Sequence, residues 1–121
     1  MHVERYHDLV VWQKAMQLVK IIYQLVKRLP KEEIYSLSDQ MRRAAVSIPS
    51  NIAEGHERQS TKEYIQFLSI AKGSKAELET QLLICVEIGY LEKTEIKEAL
   101  DISEEVSKML SAMMQKLSTK H

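Results

Sequence analysis

Apolar residues return every three or four positions along four stretches of the chain, the interval that gathers them on one side of an α-helix. In the first stretch Trp12, Ala15, Val19, Ile22, Val26 and Leu29 share a face. Val11, Leu18 and Leu25 widen that face to about half of the helix circumference. A stripe this broad predicts more than one packing partner. Asp8 is placed to cap the helix and Pro30 to end it, which bounds it to about 8–29. The second stretch begins between Lys31 and Ser38 and reaches about Glu57, with Ile34, Leu37, Met41, Ala44, Ile48 and Ile52 on its stripe. Pro49 lies inside it. Its missing N–H predicts a kink there or a split into two helices.

The third stretch has the clearest limits. Ser60-Thr61-Lys62-Glu63 reads as a capping box, and Tyr64, Phe67, Leu68, Ala71, Leu78, Leu82, Cys85 and Ile88 follow at helical spacing up to Gly89. Gly73 and Ser74 fall mid-helix, and a glycine there predicts a close backbone approach by a neighbour. The fourth stretch starts near Thr94, with Glu95 and Glu98 at the positive end of the helix dipole. Ile96, Leu100, Val106, Leu110, Met113 and Leu117 line its face. Short connections between four such helices predict an all-α fold: one antiparallel up-and-down four-helix bundle over residues 1–121, with helix two kinked at Pro49.

Composition narrows the class. Hydrophobic residues at 45% and charged residues at 28% are a globular balance, and only 3 Gly and 2 Pro argue against a turn-rich β fold. The single cysteine, Cys85, has no partner for an internal disulfide. Its place on an apolar stripe predicts a buried structural thiol rather than a nucleophile. The N-terminus carries no apolar signal region, and no apolar run approaches the roughly 20 residues of a membrane span, so a cytoplasmic protein with no membrane partner is expected. Formal net charge is zero. It is unevenly placed: residues 1–31 carry a net +4 and the remainder a net −4.

Catalytic signatures are missing from the sequence. It has no GxxxxGK phosphate loop, no GxGxxG and no GxSxG elbow. His2, His7, His56 and His121 are too scattered for a zinc signature. Glu4-x-x-His7 is the one match to the Glu-x-x-His of di-iron bundles, which need the motif on two helices. No arginine of the predicted helices (Arg28, Arg42, Arg43) has a histidine a few residues downstream, as a bundle RNase would need. The expectation is a protein that is not an enzyme, with no cofactor, no metal and no small-molecule substrate.

Two polar constellations remain. Gln13, Gln17, Lys20, Gln24, Lys27 and Lys31 share one face of the first helix, uninterrupted by an acid. Cations without neighbouring carboxylates are available to phosphates, which makes this the best candidate footprint for nucleic acid; an ordinary solvated face is the alternative. On the second helix Gln40, Arg43, Ser47, Asn51, Glu54 and Arg58 recur at steps of three and four, opposite the apolar stripe. They form either a polar binding surface or a structural network and subunit contact. In the latter, Arg43, Ser47 and Glu54 link in a ladder and Ser47 or Asn51 satisfies backbone groups freed by Pro49.

The segment Gln40-Met-Arg-Arg-Ala-Ala-Val-Ser-Ile-Pro-Ser-Asn-Ile-Ala-Glu-Gly55 resembles the signature of a family of four-helix-bundle proteins first met as products of intervening sequences in bacterial 23S rRNA genes, often labelled "S23 ribosomal protein". Leu9-Val-Val-Trp-Gln-Lys-Ala15, Tyr64-x-x-Phe-Leu-x-Ile-Ala-x-Gly-Ser74, Glu77-Leu-Glu79 and Gly89-Tyr-Leu91 match as well, in order along nearly the whole chain. The resemblance implies an antiparallel four-helix bundle that assembles into a ring-like homopentamer. It also implies kinship with the accessory variability determinant of diversity-generating retroelements, whose basic surface binds nucleic acid and a reverse transcriptase. The neutral charge of this chain departs from that basic pattern. Two functions are therefore expected in competition. One is a homo-oligomeric scaffold that binds RNA or other nucleic acid. The other is an interaction module that recruits a partner protein, such as a reverse transcriptase, without touching nucleic acid.

Overall fold

The computed structural model describes residues 5–119. A one-turn 3-10 helix at Tyr6–Asp8 leads into α1 (Val10–Val26), and a second at Lys31–Glu33 leads into α2 (Leu37–His56). α3 (Thr61–Glu87) and α4 (Lys93–Ser118) complete an all-α fold, with no strand among the described residues. Rising residue numbers on each helix meet falling numbers on the next, so neighbours run antiparallel. Met41 meets Cys85 while Ser47 meets Ser74, and Arg28 pairs with Glu95 while Lys14 pairs with Glu105. Each helix packs on two others, in the cycle α1–α2–α3–α4, and the diagonal pairs do not approach.

The core lies where the helical stripes converge. Leu18 and Ile22 of α1, Met41, Ile48 and Ile52 of α2, Leu68, Leu78 and Leu82 of α3, and Ile96, Val106 and Leu110 of α4 are fully buried. Each such side chain contributes about 1.5–3 kcal/mol by leaving water, and this burial, more than helix propensity, holds the rods together. α2 passes through Pro49 as one helix, so the split does not occur. Pro49 is itself buried.

Several ends differ from the sequence reading. Asp8 belongs to the 3-10 turn and does not cap α1; Leu9 occupies the N-cap, with no side-chain cap bond. α4 begins at Lys93, beside the expected Thr94, but its cap is Glu92, which forms a reciprocal capping box with Glu95. Ser60 does cap α3, its Oγ accepting from the Glu63 N–H at 3.1 Å. The Glu63 carboxylate accepts from the Ser60 hydroxyl at 3.2 Å instead of reaching back to the backbone. Gly89, two residues beyond the end of α3, turns the chain with φ +86°, and there the Tyr90 N–H donates to the Cys85 carbonyl (2.8 Å) and the Gly89 N–H to that of Val86 (3.1 Å). Ile34 precedes α2 and Ile88 follows the end of α3; both leave the stripes expected for them and are about half exposed, at 48% and 54%.

Gly73 meets nothing within 4 Å of where a Cβ would stand, so it marks no close approach. The close approach is at Gly55, on the α2 side of the α2–α3 seam. A Cβ there would lie 2.7 Å from Phe67 Cβ and 3.3 Å from the Tyr64 carbonyl oxygen.

One contact ties the two ends of the chain's short connections together. Glu33 Oε1 accepts from the Ser36 hydroxyl (2.7 Å) and the Leu37 N–H (3.3 Å), capping α2, while Oε2 accepts from the Tyr90 hydroxyl (2.7 Å) beyond α3. These donors, Ser36 first, hold the Glu33 carboxyl below the usual carboxylate range, and the same bond raises the Tyr90 phenol. A carboxyl whose folded pKa is depressed stabilises the fold above its unfolded pKa and loses that contribution as pH falls through the folded value. Glu33→Gln should therefore lower the melting temperature at neutral pH by a small amount, and the difference from the wild type should shrink as pH falls below the usual carboxylate range. Melting curves recorded by circular dichroism across that range check it; a difference that does not change with pH would mean the charge plays no part.

Candidate nucleic-acid interface

The amphipathic pattern that buries Ala15, Leu18, Ile22 and Leu25 turns the opposite face of α1 outward. Gln13, Gln17, Lys20 and Gln24 lie on that face and are exposed, as is Lys27 at the helix's C-cap. Lys31 is also exposed, but it sits in the 3-10 turn after Pro30 rather than on α1. Gln13 donates to the His7 carbonyl at 2.9 Å, which fixes one end of the row. Two basic residues beside the row are neutralised by α4: Lys14 pairs with Glu105 at 3.0 Å and Arg28 with Glu95 at 2.7 Å. Among the described residues no carboxylate pairs with Lys20, Lys27 or Lys31. Ion pairs to α4 thus separate cations that hold the bundle from cations that face solvent.

Lys27 and Lys31 are brought to one cleft, of about 410 Å³, with Tyr23, Pro30, Ile34 and Arg42. Tyr23, Ile34 and Arg42 are not among the candidate binding residues of the sequence. For Tyr23 a signal existed, because it stands four residues before Lys27 and so shares its side of the helix.

The polar stripe of α2 does not act as one ladder. Arg43 turns to Asp39 (2.9 Å) and Arg58 to Glu54 (2.9 Å), both local i,i+4 pairs at the surface. Arg58 also lies over the Phe67 ring, 4.8 Å from its centroid. Gln40 is exposed. Ser47 and Asn51 are half-buried: Ser47 Oγ meets Ser74 Oγ across the α2–α3 seam at 2.8 Å, and Asn51 Nδ2 donates to Ser47 Oγ (2.9 Å) and to the Ser47 carbonyl (2.7 Å). The carbonyl that Pro49 leaves without its donor is that of Ala45, four residues earlier, and the Asn51 bond does not go there. Ser47 therefore joins α2 to α3 and Asn51 braces it from within α2, while Arg43 pairs along its own helix and Arg58 reaches both Glu54 and, at 4.0 Å, Glu63 of α3.

With this geometry in place, the chain can be set beside known proteins. The profile of the family described as "23S rRNA-intervening sequence protein" matches residues 7–112. The chain belongs to that family. Its fold is similar to that of a protein of unknown function from the S23 ribosomal protein family of Bacteroides thetaiotaomicron VPI-5482, a crystal structure at 1.70 Å resolution. The two share 27% sequence identity and a TM-score of 0.81, over 87% of this chain and 98% of that one. No curated protein matches the chain.

Cys85 is fully buried, its Sγ 3.7 Å from Met41 Sδ, and burial pushes the thiol up to about 11, away from the reactive thiolate. Among the described residues no cluster of three His, Cys, Asp or Glu is placed to hold a metal. Glu4, half of the Glu4-x-x-His7 motif, and the His2 and His121 positions lie outside them. No described helix is long and apolar enough to cross a membrane. His7 takes part instead in an aromatic group where the start of α1 meets the end of α2. Tyr6 stacks on His7 at 4.1 Å and meets Trp12 edge-on at 5.5 Å, and His56 lies edge-on to Tyr64 at 5.9 Å.

Proposed function

We propose that this chain is a non-enzymatic, homo-oligomeric helical scaffold that binds RNA or other nucleic acid through the outer face of α1. The observation that carries the reading is the row ending in Lys20, Lys27 and Lys31, exposed and without a carboxylate partner among the described residues, while Lys14 and Arg28 are neutralised by α4. Zero net charge supplies no global attraction, so binding rests on this local patch. Three lysines are few for one molecule. A ring of copies multiplies them, and simultaneous engagement raises avidity without any new contact. Apolar grooves flank α1 on both sides, one with Trp12, Met16, Val46 and Pro49, the other with Val10, Met109 and Met113. Two different apolar flanks are what a head-to-tail ring requires.

Fluorescence anisotropy with a structured RNA tests the proposal. Three phosphates neutralised per subunit predict a loss of roughly 40-fold per engaged subunit when salt rises fourfold, from about 50 to 200 mM. Replacing Lys20, Lys27 and Lys31 together by Glu should remove binding. Affinity that ignores salt, or survives the triple replacement, rejects the reading. Light scattering at micromolar concentration should give several chain masses, and a strict monomer would remove the avidity.

A second reading, recruitment of a partner protein in the cytoplasm without nucleic-acid contact, is favoured by a groove between α3 and α4. Leu83, Val86 and Leu100 line it and Glu87, Lys93 and Asp101 lie around them. A pull-down unchanged by nuclease treatment would support that reading over the first.

A further inference from the structure

The cleft at the C-terminal end of α1 combines two chemistries that a phosphate footprint alone does not need. Its floor is apolar: the ring of Tyr23, 42% exposed, the pyrrolidine of Pro30 and the side chain of Ile34, 48% exposed. Its cations are Lys27, Lys31 and Arg42, and no acidic residue lines it. Glu33, the nearest acid to Ile34 in sequence, is turned away onto Ser36, Leu37 and Tyr90; Glu32 is exposed and outside the lining. Arg42 is set in place by its own bond, Nη2 donating to the Ile34 carbonyl at 3.2 Å, which leaves its other N–H groups unassigned. The cleft's volume of about 410 Å³ falls within the roughly 300–1,000 Å³ of ligand pockets.

A duplex presents its phosphates outward and keeps its bases stacked inside, so it would use the lysines and leave the apolar floor bare. An unpaired nucleotide uses both, because every base has a flat apolar face beside an anionic backbone. An exposed tyrosine next to three cations with no acid among them fits that ligand. We infer that the cleft formed by Tyr23, Ile34, Lys27, Lys31 and Arg42 holds one unpaired nucleotide of a single strand, its base against Tyr23 and its flanking phosphates on the cations. This rests on the proposed nucleic-acid role and makes it selective for single-stranded or bulged sites.

The test compares one single-stranded RNA oligonucleotide carrying 2-aminopurine with the same sequence in a duplex, using the full chain and its Tyr23→Ala and Tyr23→Phe variants. Tyr23 is at the surface, and circular dichroism confirms that each variant folds. Tyr23→Ala should weaken single-strand binding about tenfold or more and change duplex binding less than about twofold. Tyr23→Phe should keep both affinities, and 2-aminopurine fluorescence should be quenched by the wild type and Tyr23→Phe only. Equal loss on both substrates, or no loss on the single strand, overturns the cleft and leaves the basic face standing if the triple lysine variant still abolishes binding. Failure of the wild type to bind either substrate overturns both, as does an acidic peptide that binds where the oligonucleotides do not.

Discussion

Ile48→Asp is expected to leave the protein largely unfolded at neutral pH. Ile48 sits mid-way along α2 with no exposed surface, in the centre of the bundle with Met41, Ala45 and Ile52. The substitution removes about 1.5–3 kcal/mol of apolar burial and places an ionisable group in the apolar core. The combined cost of several kcal/mol is comparable to the roughly 5–15 kcal/mol that holds a domain of this size. The buried carboxyl escapes part of the penalty by staying protonated, so the variant should be less destabilised near pH 4 than at pH 7. Ile48→Ala separates the two effects: it leaves only a cavity, costs about 2–5 kcal/mol and carries no pH dependence of its own. Urea titrations followed by helix signal read all three chains. A wild-type midpoint in the aspartate variant would mean that α2 faces another way and that the stripe was wrongly placed.

That this position can be chosen from the sequence shows which part of the fold is legible. Burial of a helix face repeats at the helix period, so Ala15, Leu18, Ile22, Ile48, Ile52, Leu78 and Leu82 announce themselves by spacing. The same logic overreaches at helix ends. Ile34 keeps the spacing before the first turn of α2 and Ile88 keeps it at the C-cap of α3, where the faces of the helices no longer converge on the core. Caps depend on a few local bonds, and several residues compete for them. Asp8 lost to a 3-10 turn, while Glu92 is not among the usual cap residues, so its reciprocal box with Glu95 is visible only in the structure.

The candidate site divides in the same way. The row Gln13, Gln17, Lys20, Gln24 and Lys27 is a periodic feature, and the helix delivers it to one exposed face. What the sequence could not supply is which cations α4 would claim, because Lys14–Glu105 and Arg28–Glu95 span the whole chain. The same holds for Glu33 and Tyr90, and for Ser47 and Ser74, whose partners are set only by the antiparallel register. The expected ladder of Arg43, Ser47 and Glu54 gave way to Asp39–Arg43 and Glu54–Arg58 because an i,i+4 partner needs no tertiary register to be in reach.

The glycines make the point sharpest, and they yield the second large effect. From the sequence Gly73 looked like the close approach because it interrupts a long helix, whereas Gly55 stood near a helix end where glycine is common. The packing reverses this. At Gly55 a Cβ would press on Phe67 Cβ at 2.7 Å, Tyr64 Cδ1 at 3.0 Å and the Tyr64 carbonyl oxygen at 3.3 Å. Two of these are a side-chain root and a backbone atom, which move only if α3 moves. Gly55→Val should therefore cost about 3 kcal/mol, the upper end for overpacking, since α2 and α3 must separate locally. Gly73→Ala should do the opposite and add up to about 1 kcal/mol, because its Cβ enters open space and alanine favours the helix. Helix propensity alone would make both substitutions neutral or favourable, so the pair isolates packing. Denaturant midpoints decide it: an unshifted midpoint for Gly55→Val would show that the α2–α3 seam has room to spare, and the close packing assigned to that seam would have to be given up.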